Sequence, residues 1–346
     1  MNLYFIGRYS GYWPYKLFPF IKENFRPGEL DGINKTNNLK ITTSIKNADI
    51  LFFRNKPEKT TDNQIQILSD RISNYKDHCT IVNPINSFYN YDSKDNAYQL
   101  WLDNNLNAPD FKAFTINQIK NNKDDVIQCI KEFVNDKRKI FLRTNNQTGS
   151  KGMYLINYSD SIDKIEKKLD KIISSVYTIS RERKDTRIIA VKFMDTIDSG
   201  GYQKLYRAHV VGNKVICFYI VSSQKSEFHC KDMVMDDMDS FLEINHNFGN
   251  QIKNEPSVHN QIVKAVHSLG CNLGAIEFFV INNSIYFLEL NPIWHGHASR
   301  EGFGSVEFQN YINVNKKSLI EKIPNIYNWL DYSEFYKKMY MEILNF

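Results

Sequence analysis

At 346 residues, with 42% hydrophobic and 24% charged residues and a net charge of +5, the chain is larger than one hydrophobic core comfortably organises and reads as a globular protein of two or three lobes. Its lysines are scattered rather than gathered into a basic run, which argues against nucleic-acid binding, and no stretch approaches the roughly 18 apolar residues of a membrane-spanning helix. Cys79, Cys129, Cys217, Cys230 and Cys271 lie far apart with no CxxC pair, so neither a zinc knuckle nor a disulfide framework is expected. The first residues show no sustained apolar run and no cleavage site, and a cytoplasmic protein is expected. Nothing in the sequence sets the oligomeric state, and a homodimer stays open.

A first lobe, residues 1–91, alternates short apolar runs with polar helical stretches. Residues 3–6, 50–53 and 80–82 read as strands. Ile65, Leu68, Ile72 and Tyr75 recur every three to four residues and predict an amphipathic helix capped by Thr61 or Asp62. Strand, helix, strand in that order predicts a small parallel α/β layer. Ligands bind such layers beyond the carboxyl ends of the strands, so the loop with Gly7, Arg8, Ser10 and Gly11 is a candidate substrate-facing edge, although many such loops only turn the chain.

A second lobe is expected over residues 92–190. Residues 92–107 predict a helix with Ala97, Leu100 and Trp101 inward, stopped by Ala108-Pro109. Residues 140–143 predict a strand leading into TNNQTGSKG at 144–152, then a strand at 153–156. A loop of this kind, with Gly149, Ser150, Lys151 and Gly152 between antiparallel strands, can bring backbone N–H groups and a cation close to phosphate oxygens. An ordinary glycine hairpin is the alternative, because the motif is neither a Walker loop nor a GxGxxG between strand and helix.

A third lobe is expected over residues 191–315. Residues 187–194 predict an apolar strand containing Lys192, followed by Asp195, Asp198 and Gly200-Gly201. Residues 204–220 predict two strands around Gly212-Asn213, with Lys204 and Arg207 at the front of the hairpin, where salt bridges to nearby acids are their alternative role. Residues 223–254 are polar and predict a solvated excursion. Residues 257–269 predict a helix capped by Ser257 and ended by Gly270, and residues 316–346 a helical tail on the surface, broken by Pro324.

The chemistry concentrates in residues 269–303. Two β-rich runs flank Asn282-Asn283 and predict a hairpin that carries Glu277 on its first strand and Glu289 on its second, with Asn291 on the same face as Glu289. Strand glutamates are otherwise solvated or paired with lysine. In an apolar hairpin, however, carboxylates are costly without a compensating cation, and hard oxygen donors with no cysteine suit Mg²⁺ beside nucleotide phosphates.

This order of signals resembles the ATP-grasp superfamily, most specifically in AIEFF…FLELNP, which is similar to the family's acidic strand followed by Glu-x-Asn-Pro. The resemblance implies an α+β, ATP-grasp architecture with an N-terminal α/β (pre-ATP-grasp) lobe, a central lobe and a C-terminal lobe, with ATP and Mg²⁺ between the last two. It implies Glu277, Glu289 and Asn291 as metal ligands. Lys94, Arg143, Gly149, Ser150, Lys151 and Gly152 would hold the phosphates, Arg143 standing where lysine is commoner. Lys192 and Phe193 would line the adenine pocket, and Asp198 the ribose. Arg207, Lys204 and Arg300 would be the catalytic cations, while Arg8, His295 and His297 would read the substrate; a metal role for the His-x-His pair is the alternative. The implied reaction joins a small-molecule carboxylate to an amine through an acyl phosphate. A kinase acting on a hydroxyl or amide of a sugar-like metabolite, and a non-catalytic nucleotide-binding relic, remain alternatives.

Overall fold

The structure, a computed structural model, describes residues 1–7, 28–54, 60–75, 77–147, 152–179, 183–197, 200–224, 232–292, 304–323 and 331–346. Three four-stranded sheets organise these residues. The first holds β1 (Asn2–Gly7), β2 (Lys40–Ile41), β3 (Ile50–Arg54) and β4 (Thr80–Val82) in the order β2-β1-β3-β4, all parallel. Parallel neighbours cannot be joined by a tight turn. Helix α1 (Glu29–Asn34) lies between β1 and β2, and α2 (Asp62–Ser73) carries the chain from β3 to β4. Thr61 caps α2 as expected: its hydroxyl accepts the Gln64 N–H while the Gln64 side chain accepts the Thr61 N–H, and Ile65, Leu68 and Ile72 are buried.

The single helix expected over residues 92–107 is two, α3 (Phe88–Asp92) and α4 (Lys94–Asp103), separated by an extended Ser93. The pair wedges into the meeting point of the lobes. Trp101 is fully buried, its indole N–H donates to the Ala265 carbonyl at 2.8 Å, and its ring packs 5.7 Å from Phe287.

The second sheet is antiparallel, with β5 (Phe111–Thr115), β6 (Lys139–Thr144), β7 (Tyr154–Asn157) and β8 (Arg187–Lys192) in the order β5-β8-β6-β7. Helices α5 (Ile116–Asn121), α6 (Lys123–Lys137) and α7 (Ile162–Ile179) cover one face, where Ile140, Leu142, Ile156 and Ile188 meet Ile130 and Leu169. The pleat therefore turns Phe141 and Arg143 of β6 to the opposite face.

The third sheet is also antiparallel, with β9 (Gln203–Val211), β10 (Lys214–Ser223), β11 (Leu273–Ile281) and β12 (Ser284–Asn291) in the order β10-β9-β11-β12. Asn282 and Asn283 both have positive φ (49° and 62°), the backbone a two-residue hairpin turn demands. Before β11 come α8 (Met238–Asn254) and α9 (Pro256–His267). Helix α8 corrects the expected solvated excursion, since it buries Phe241, Ile244, Phe248 and Ile252 at helical spacing that the intervening asparagines obscure. Its Asn245 side chain grips strand β10, accepting from the Ile220 N–H and donating to the Ile220 carbonyl, both at 2.9 Å. Helix α9 starts at Pro256, one residue before the expected cap Ser257, because proline's missing N–H costs nothing in a first turn.

The last helices are α10 (Val306–Lys322) and α11 (Tyr332–Ile343). Pro324, the expected break between them, lies outside the described residues. Instead of a surface tail, α11 is packed, burying Phe335, Tyr336, Met339, Tyr340 and Ile343 and closing on α1 of the first lobe. The approach needs glycine. A Cβ at Gly32 would lie 2.6 Å from the Tyr336 Cβ and 2.8 Å from the Lys337 backbone nitrogen. Gly32→Ala should therefore lower the unfolding free energy by about 1–3 kcal/mol through overpacking, despite alanine's better helix propensity, as measured by urea denaturation.

Candidate functional site

One register row of the third sheet collects the chemistry. Tyr219 of β10 pairs with Arg207 of β9, Arg207 with Glu277 of β11, and Glu277 with Glu289 of β12, so four side chains stand abreast on one face. The next row on that face holds His209, Ala275 and Asn291. A bulge between Glu277 and Phe278 places Leu288 as the extra residue of β12, interrupting the pleat beside Glu289.

Two carboxylates directly opposite one another repel, and cations answer each of them. The Arg207 Nη1 lies 3.4 Å from the Glu277 carboxylate and donates to the Tyr219 hydroxyl at 3.0 Å. The Lys94 Nζ, from the start of α4, lies 3.1 Å from Glu289 and donates to the Gln147 carbonyl at 3.2 Å. Arg143 of β6 donates to the same carbonyl at 2.7 Å. Burial pushes the Glu289 carboxyl up, but Lys94, Arg143 and Arg207 together hold it below the usual carboxylate range. Burial also lowers the Lys94 ammonium pKa, against the opposing pull of Glu289.

Facing this row, residues 143–147 carry unfilled polar capacity at the start of the glycine loop. The Arg143 Nε, the Thr144 hydroxyl, the Asn146 Oδ1 and both amide atoms of Gln147 are buried with no hydrogen-bond partner among the described residues. Such groups are rare in folded proteins and mark places where a ligand or solvent completes the bonding. Gly152 has φ of +63°, and a Cβ there would sit 2.9 Å from the Gln147 Oε1.

The structure thus brings Lys94, Arg143, Arg207, Glu277, Glu289 and Asn291 to one place. Lys204 is not among them. It pairs with Ser222 and is three residues from Arg207 on the same strand, so it points to the other face, with Tyr206. Lys192 is likewise in register with Ile140, on the helix-covered side of the second sheet, 41% exposed and 3.9 Å from Asp110. The N–H groups of Lys192 and Phe193 donate to the Asp110 and Lys139 carbonyls at 2.9 and 3.0 Å, so sheet bonding already uses them. The Phe193 ring itself stands 5.4 Å from Phe141 and under the Lys139 ammonium. Arg8, Gly149, Ser150, Lys151, Asp198, His295, His297 and Arg300 lie outside the described residues. Sequence reasoning missed Tyr219, which only the β9–β10 register reveals, and Gln147, which reads as one more polar loop residue.

No family model matches the sequence, and no curated protein does. Among solved structures, D-cycloserine synthetase DcsG matches over 92% of this chain and 94% of its own, at 10% identity and a TM-score of 0.50. The chain has an ATP-grasp fold. D-alanine–D-alanine ligase from Bacillus anthracis (11% identity, 99% of this chain, 95% of that one, TM-score 0.48) and the ATP-grasp ligase PsnB with precursor peptide PsnA2 and AMPPNP (12%, 79%, 77%, 0.45) are further similar structures. No helix among the described residues is long and apolar enough to cross a membrane.

Beside the site the ATP-grasp fold buries a second group of charges. Arg183 reaches Asp92 and Asp185 at 2.7 Å each and Asp62 at 3.6 Å, tying the second lobe to the first with one guanidinium. Burial pushes the Asp92 carboxyl up to about 6, although Arg183 and Lys94 pull it down and Asp185 adds to the rise. A folded-state pKa above the unfolded value means that folding takes up a proton between roughly pH 4 and 6, so this carboxyl's contribution to stability falls as pH rises through that window. Asp92→Asn should remove that decline, which amounts to roughly 3 kcal/mol at most, and denaturant titrations of both proteins between pH 4 and 7 would read the difference in slope.

Proposed function

We propose that the chain is an ATP-dependent ligase joining a small-molecule carboxylate to an amine, with Mg·ATP held between the second and third sheets. The observation carrying this reading is the Tyr219–Arg207–Glu277–Glu289 row with Asn291 beside it, faced by Lys94, Arg143 and the unfilled polar atoms of residues 143–147. The donor set fits the implied metal, since two carboxylates and a carboxamide on one face are hard oxygen ligands, and among the described residues no cluster of three His, Cys, Asp or Glu offers another site. Mg²⁺ bound there would neutralise charge on the phosphate oxygens.

The protein's own groups divide the work. Lys94 and Arg143 bind and orient the phosphates, with the Gln147 amide and Arg143 Nε as unspent hydrogen-bonding groups. Arg207, braced by Tyr219, offers a guanidinium to the charge that builds on the transferring phosphoryl group. Phe193 and Phe141 present an apolar wall for a purine. The substrate carboxylate oxygen attacks the γ-phosphorus as the bond to ADP breaks; the amine nitrogen then attacks the acyl carbon, phosphate leaves and the nitrogen loses a proton. Positioning and charge carry the rate, and no side-chain nucleophile is required. The synthetase chemistry named for DcsG supports ligation over simple phosphorylation. Free thiols at Cys79, Cys129, Cys217 and Cys271 fit a reducing cytoplasm.

The test is ADP formation across a panel of carboxylates, each with and without amines, using wild type and Glu289→Gln. An amine-dependent turnover that falls about 10³-fold in Glu289→Gln, roughly 4 kcal/mol of barrier, at an unchanged melting temperature is the expected result. Normal turnover in the variant would remove Glu289 from the chemistry, and turnover indifferent to amines would make the enzyme a kinase.

A further inference from the structure

Residues 92–96, Asp-Ser-Lys-Asp-Asn, are polar at every position, yet Asp92, Ser93, Lys94 and Asp95 are all at most 6% exposed. Burying such a run is costly unless every group is answered. Here most of the answers come from residues 145–187 of the second lobe, while the Lys94 ammonium meets Glu289 and the Asn96 amide donates to the Tyr89 carbonyl at 3.2 Å. Asp92 takes Arg183 at 2.7 Å, and the Ser93 hydroxyl donates to Asp185 at 2.6 Å. The Lys94 N–H donates to the Asn145 carbonyl at 3.0 Å. Asp95 accepts from the Asn145 amide at 2.9 Å and from the Arg187 Nε, and Arg187 also donates to the Asn96 Oδ1 at 2.8 Å.

Lys94 is held in this clamp against its own preferences. It is the first residue of α4, where the helix dipole disfavours a cation, it is desolvated, and Arg143 repels it. A cation kept at such a place needs surroundings that over-determine its position. The break at Ser93, extended with φ −95° and ψ 105°, is what frees the Lys94 N–H for Asn145 and starts the helix at that residue.

We propose that the Asp95–Arg187 ion pair is a positioning element that sets the Lys94 ammonium between Glu289 and the Gln147 carbonyl, so that nucleotide affinity depends on a pair that itself touches no ligand. The link to nucleotide rests on the ligase reading above. The placement of Lys94 does not.

The experiment has two readouts on Asp95→Asn, Arg187→Gln and Arg187→Lys, all as folded full-length chains. The first needs no ligand: the acylation rate of Lys94 by a water-soluble N-hydroxysuccinimide ester, followed by peptide mass mapping and normalised to exposed Lys253. Lys94 should label at least tenfold faster in Asp95→Asn and Arg187→Gln. Arg187→Lys, which keeps the charge but not the fork, should label only a few-fold faster than wild type, and it carries the test should the other two fail to fold. The second readout is the Kd for Mg·ATP by calorimetry, expected to weaken about tenfold in parallel. Unchanged Lys94 labelling with a lowered melting temperature would overturn the proposal, reducing the pair to a structural one. Faster labelling with undiminished ATP affinity would overturn it too. Faster labelling in the variants, together with no ATP binding by wild type, would leave the positioning role standing and remove the ligase reading instead.

Discussion

Two carboxylates in direct register, Glu277 and Glu289, set the terms for the rest of the molecule. At a cross-strand separation of ~5 Å and an effective dielectric of ~20, their mutual repulsion is on the order of 3 kcal/mol, too large to leave uncompensated in a domain of ordinary stability. The chain answers it from three directions. Arg207 comes from the neighbouring strand, Lys94 from the helix wedged between lobes, and Arg143 from the facing sheet. A lone sheet could supply only the first of these. The acidic pair therefore makes sense only where two sheets and the wedge meet, which is how a local sequence feature comes to depend on the global arrangement.

The framework that delivers those cations is built mostly from apolar contacts. Trp101 anchors α4 to the third lobe through Ala265 and Phe287, while the face of β8 carrying Ile189 and Val191 belongs to the same core as Tyr206 and Phe278. Helix α11 closes the other side, where Tyr340 donates to the buried Glu29 and its ring meets Phe5 edge-on. Dispersion and area fix the lobes, and the ion pairs fix what stands in the gap between them. Buried ion pairs add little net stability, so their abundance here reflects position more than strength.

Much of the frame was legible before the structure. The hairpin at Asn282-Asn283, the capped helix α2 and the β9–β10 pair follow from turn chemistry and period, and Glu277, Glu289 and Asn291 follow from the hairpin. What stayed hidden depended on long-range pairing. That Lys204 could not join Arg207 is a matter of pleat parity, readable in principle from their spacing of three. Helix α8 is hidden because asparagines dilute its apolar stripe, and α11 reads as a surface helix because nothing local announces that glycines near residue 30 will receive it. The buried run at residues 92–96 was least accessible of all, since its partners Asn145, Arg183 and Arg187 lie about 50 to 90 residues away.

The central claim is that the opposed glutamates and their cations together make a site for a metal–nucleotide complex. Calorimetric titration of ATP with and without Mg²⁺, on wild type and on Glu277→Gln, tests it most directly. The account predicts ATP binding that Mg²⁺ strengthens at least tenfold in wild type and much less in Glu277→Gln, whose metal-binding charge is reduced. Binding that is absent, or equally tight with and without Mg²⁺ in wild type, would contradict it.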